Sequence, residues 1–210
     1  MLKRLVVLTV LAVSGAAVAH ADSISGFFNA NGTDAFTSST ITFAPGSVVA
    51  GAIGGTFATY LTDNNPISFL SGALPYAQGN NIPPGGIPIQ LFSTTEAGET
   101  FAFDINGYNA DLVTGTATTP GCSNGSTCLL VTGSGFFTGT GTVNYTNSGP
   151  ATFTFTSQYS PAQTIGTITS FSASASAVAA PTVPEPASLA LLGTGLVGVV
   201  GLARRRFLRA

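Results

Sequence analysis

Between residues 22 and 182 the chain has no lysine, no arginine and no histidine. All its basic side chains sit at the two ends, at Lys3, Arg4, Arg204, Arg205, Arg206 and Arg209, and its one histidine is His20. A body without cations cannot neutralise phosphates, which excludes nucleic acid as a partner. Catalysis through a histidine base or an arginine clamp is excluded within this chain. Salt bridges inside the body are excluded as well, so packing, backbone pairing and cross-links must hold it. The acids of the body are Asp22, Asp34, Asp63, Glu96, Glu99, Asp104 and Asp111. Seven acids and no bases make it formally −7, a charge that the whole-chain value of −2 conceals. Tryptophan is absent, and only two cysteines occur, Cys122 and Cys128.

The two ends carry what the body lacks. Lys3 and Arg4 precede an apolar run from Leu5 to Val13 and then small residues. Ala17-Val18-Ala19 and Ala19-His20-Ala21 both fit an A-x-A cleavage site, with cleavage after Ala21 favoured. Residues 1–21 therefore read as a secretory signal peptide and are set aside from fold reasoning. At the other end, Ala187 to Ala203 are seventeen uncharged residues. As a helix they span roughly 25 Å, the short edge of a bilayer core. Their glycines weaken a helix in water but are tolerated in lipid. Arg204, Arg205 and Arg206 follow at once, and positive residues beside a span stay in the cytoplasm. Residues 187–203 are expected to form a transmembrane helix and 204–210 a basic cytoplasmic tail. Val183-Pro184-Glu185-Pro186 lies directly before the span, where its prolines enforce a stiff, extended segment.

In this order at the C-terminus, the three parts resemble the PEP-CTERM protein-sorting signal of Gram-negative bacteria. The resemblance covers Val183 to Ala210 and leaves residues 22–182 unassigned. It implies recognition by an exosortase, a membrane-embedded transpeptidase-like enzyme. It further implies removal of the apolar tail after transient residence in the inner membrane, and delivery to the cell surface or an exopolysaccharide matrix. By position, Pro184, Glu185 and Pro186 would be the recognition motif, with Val183 beside it. Arg204, Arg205 and Arg206 would be the retention cluster.

About 160 residues remain for the body, enough for one domain with a core. Helix signals are nearly absent. Short strand-like runs recur between turn-forming clusters, at Ser39–Phe43, Thr56–Leu61, Ile87–Phe92, Thr100–Ile105, Phe136–Tyr145, Thr152–Thr156 and Ile165–Val178. Residues 71–88 read as a long loop and Asn106-Gly107 as a hairpin turn. These signals predict one antiparallel β-sandwich domain over 22–178, followed by a linker with the PEP motif over 179–186.

Few constellations suggest chemistry. An exported chain with two cysteines around Asn124-Gly125 predicts a Cys122–Cys128 disulfide. Asp104 to Asp111 is rich in oxygen ligands but departs from the EF-hand template, leaving a non-standard Ca²⁺ site or a plain hairpin turn. Glu96 and Glu99 could form a glycosidase carboxylate pair or simply solvate a loop. The threonine face of 152–156 could bind ice or sugar if neighbouring strands repeated it. The resulting expectation is a non-enzymatic surface or matrix protein with no cofactor and no catalytic or metal residues. The alternatives are a carbohydrate- or Ca²⁺-binding extracellular module and, more weakly, a carboxylate-dependent glycosidase.

Overall fold

The computed structural model describes residues 22–119, 122–143 and 145–181, with Ala50 described in its backbone alone. The chain divides into two units, Met1–Ala180 and Pro181–Ala210. The signal peptide with Ala19 and Ala21, the motif Val183–Pro186, the expected span 187–203 and Arg204–Arg206 lie outside the described residues. Among the described residues, no helix is long and apolar enough to cross a membrane.

In chain order the first unit comprises β1 (Asp22–Ser23), β2 (Gly26–Phe36), β3 (Thr40–Gly55), α1 (Thr56–Tyr60), β4 (Pro66–Phe69), β5 (Ala73–Pro75) and β6 (Gly79–Asn81). It continues with β7 (Ile89–Glu96), β8 (Glu99–Thr114), β9 (Thr127–Thr140), β10 (Tyr145–Thr146), β11 (Ala151–Tyr159) and β12 (Thr169–Ala177). Strands β2, β3, β4, β7, β8, β9, β11 and β12 each pair antiparallel with the next, and β12 returns to pair with β2. The sheet therefore closes on itself as an eight-stranded up-and-down barrel.

This corrects the expected sandwich. The all-β class stands, but a sandwich has two sheets with free edges, and β2 here is bonded on both sides. Alternation reports which residues face inward. It does not report whether the first strand meets the last. Closure depends on coiling, and bulges supply it between Phe28 and Ala30, Gly32 and Asp34, Gln90 and Phe92, and Ile105 and Gly107. The wall also bends tightly at Gly135, where a Cβ would lie 2.0 Å from the Asp104 carbonyl oxygen.

Phenylalanine fills the interior. Phe28, Phe92, Phe101, Phe103, Phe137 and Phe155 are almost wholly buried. Their rings meet mostly edge-to-face, as at Phe28–Phe92 with centroids 5.8 Å apart. The space among Phe28, Ala30, Ile67, Phe69 and Phe92 admits no water molecule. At the lower end α1 inserts Phe57 into this cluster, 4.8 Å from Phe137 and 5.2 Å from Phe28. The run Thr56–Leu61 was expected to be a strand. Gly55 reverses the chain at φ 66°, and the burial of Phe57 in the barrel mouth overrides local propensity.

Two other local expectations also change. Residues 71–88 are partly structural: β5 pairs with β3, β6 pairs with β8, and Leu74 and Tyr76 are buried. Asn106-Gly107 is no hairpin turn, because β8 runs through it with a bulge.

Candidate functional site

The chain enters and leaves the barrel at its lower end. β1 pairs in parallel with β10, and the Ala180 amide donates to Ser23 Oγ at 2.8 Å. At the upper end Cys122 and Cys128 are joined, with Cα atoms 5.9 Å apart, and close the connection between β8 and β9.

Each acid singled out from the sequence has a local partner. Asp104 and Asp111 lie on one extended strand, so their Cα atoms are roughly 20 Å apart and cannot converge on one ion. Asp104 accepts from the Thr138 hydroxyl, and Asp111 accepts from Asn109 Nδ2. Glu96 and Glu99 oppose one another across the Ala97-Gly98 turn, whose two φ angles are positive at 53° and 84°. Thr62 donates its amide and its hydroxyl to Glu96, at 2.6 and 2.5 Å. Glu99 is buried and accepts from the Thr142 hydroxyl, the Thr142 amide and the Val143 amide. The Thr142 hydroxyl, with those two amides behind it, holds the Glu99 carboxyl below its usual 4.5. Each carboxylate thus holds a loop at the lower end.

Asp34 was counted only as one of the body's acids. It is 2 % exposed inside the barrel, where Ser157 Oγ donates to its Oδ1 at 2.7 Å and Oδ2 has no partner. Burial pushes its carboxyl up to about 6, against the lowering effect of the Ser157 hydrogen bond. The sequence carried a signal for Glu99, which is in phase with the inward row of Phe101 and Phe103. Asp34 is in phase with Phe28, Ala30 and Phe36, a row that becomes visible only once β2 is known to be a strand.

The threonine face of 152–156 is repeated on its neighbours. Thr152 pairs with Ser176 and Ser134, Thr154 with Ser174 and Thr132, and Thr156 with Ser172 and Leu130. Beyond β12, Ser174 and Ser172 pair with Asn29 and Asn31. Hydroxyls of adjacent strands meet at 2.9 Å between Thr152 and Ser176 and at 2.7 Å between Thr154 and Ser174. A shallow depression of about 410 Å³ lies over Asn29, Thr154, Thr156, Ser172 and Ser174. A second, of about 620 Å³, reaches the disulfide loop at Ser123 and Asn124, and Gln158 and Ser170 line both.

Comparison with known proteins assigns the tail. No curated protein and no solved structure matches the chain. The family model described as the PEP-CTERM protein-sorting motif matches residues 182–206. That motif implies an exported protein with a membrane-anchored precursor processed by an exosortase. The barrel of residues 22–181 has no assigned family, whereas the tail that follows it carries a PEP-CTERM protein-sorting motif.

Proposed function

We propose that the chain is an exported, non-enzymatic surface protein whose barrel is the cargo and whose tail is the address. The signal peptide 1–21 commits it to export, and residues 187–203 hold it in the inner membrane. Arg204, Arg205 and Arg206 resist translocation, since each charge at the hydrocarbon centre costs ~2.5–3.5 kcal/mol on insertion scales. Pro184-Glu185-Pro186 is then displayed outside for an exosortase, which delivers the barrel to the cell surface or exopolysaccharide matrix of a Gram-negative bacterium. The match over residues 182–206 is the observation that carries this reading. A structural role for the barrel is supported by its carboxylates, since Glu96 and Glu99 are engaged in holding loops. Replacing Glu185 with Ala leaves the apolar run intact and removes the charge of the motif. Fractionation of the native host should then find full-length precursor accumulating in the inner membrane, as it should in a host without its exosortase. Normal maturation of Glu185→Ala would refute recognition through this motif.

A further inference from the structure

We propose that the outer face of β11, β12 and β2 binds an uncharged polysaccharide chain. The inference deepens the surface-protein reading and rests on it for the ligand's availability. Three observations converge. The two adjoining depressions share Gln158 and Ser170 and form one groove running from the disulfide loop toward the lower end, and among the described residues no charged side chain lines it. From Ser170 to Ser174 along β12 the groove covers roughly 13 Å at the rise of a strand, and Ser176 and Phe27 lie just beyond its lower end. Exposed sheet faces ordinarily carry charged residues. Here the outward positions of β11, β12 and β2 are Thr, Ser, Asn and Gln, joined by Phe27 and Ala35.

Phe27 is the third observation. It is 52 % exposed and lies opposite Ser176, in the same row as Thr152. Its ring rests on Gly54, where any Cβ would collide with it at 2.4 Å. A flat aromatic face thus stands beside paired hydroxyls. It suits the apolar C–H face of a sugar ring, while the hydroxyls and amides match sugar hydroxyls as both donors and acceptors.

The same observations disfavour other occupants. An extended peptide adds itself to a sheet through a free edge, and β11, β12 and β2 are each paired on both sides. A polyanion meets a body of −7 that has no cation.

The test uses full-length protein in a polyoxyethylene detergent, which contains no sugar to compete. Its mobility is measured in native gels containing a soluble uncharged β-glucan, α-glucan or mannan, with alginate as the polyanionic comparison. At least one neutral polymer should retard it, with retardation unaffected by 0.5 M NaCl. Phe27→Ala, and Thr154→Val combined with Ser174→Ala, should each weaken that binding at least tenfold. The double variant keeps its fold because both side chains point outward, and matched melting curves check this. Three outcomes overturn the proposal: retardation by none of the neutral polymers, retardation by alginate alone, or unchanged binding in both variants. Sedimentation as a dimer whose face becomes exposed only in the variants would assign the face to a second copy instead. Because the assay needs no processing, its failure leaves the sorting reading standing, and a failure of sorting leaves the binding result standing.

Discussion

Among individual residues, the two buried acids govern how stability responds to pH, and they pull in opposite directions. The Asp34 carboxyl titrates at about 6 in the folded barrel against 3.8 for the free side chain. The folded state therefore holds a proton that the unfolded state has already released. That contribution is complete below about pH 4 and is lost as pH rises through 6. Glu99 has the opposite sign, because its carboxyl is held below 4.5. Its contribution is present above that value and is lost on further acidification. Stability should therefore peak at mildly acidic pH. The span from 3.8 to about 6 corresponds to roughly 3 kcal/mol. Asp34→Asn should remove about that much of the stability difference between pH 4 and pH 7, read from urea unfolding at both values. An unchanged difference would mean that Asp34 is not the titrating group. No cation faces it among the described residues, and the opposing Glu99 contribution is common to both proteins and cancels in the comparison.

Among the elements, α1 is the clearest case of tertiary structure overriding local sequence. Five residues cannot sustain a helix alone. Phe57 holds it, wedged among Phe28, Phe101 and Phe137. Phe57→Ala should cost about 3–5 kcal/mol. The check is denaturant unfolding, and a loss below about 1 kcal/mol would show that α1 is peripheral to the core. The strands whose inward and outward residues differ sharply were legible in the sequence. Thr152–Thr156 lies within β11, and Phe101, Phe103 and Ile105 share the inner face of β8. β2 was not legible, because Gly26–Phe36 mixes Asn, Gly, Thr and Asp with its few large apolar residues. β2 is also the strand that closes the ring, so missing it turned a barrel into a sandwich. Asn106-Gly107 misled for a related reason: the residues that favour a turn also favour a bulge, and only pairing with β9 decides between them.

For the whole molecule, the division of labour follows the charge. The cations lie in the two ends, and the cation-free barrel sequence lies between them. The candidate site was partly legible. The tail could be read directly, because a proline-flanked glutamate, an apolar run and three arginines act through composition and order. The disulfide was expected from export and spacing, and Cys122 and Cys128 are joined. Of the outer groove only the threonine face of 152–156 was legible, because the rest assembles from residues more than a hundred positions apart, such as Asn29 and Thr154. Sorting through residues 182–206 remains the central claim, and intact mass spectrometry of the protein recovered from the cell surface tests it most directly. With a functional exosortase in the host, the mass should correspond to a chain that begins at Asp22 and ends before the arginine cluster. A surface-recovered protein that still carries Arg204–Ala210 would contradict the account.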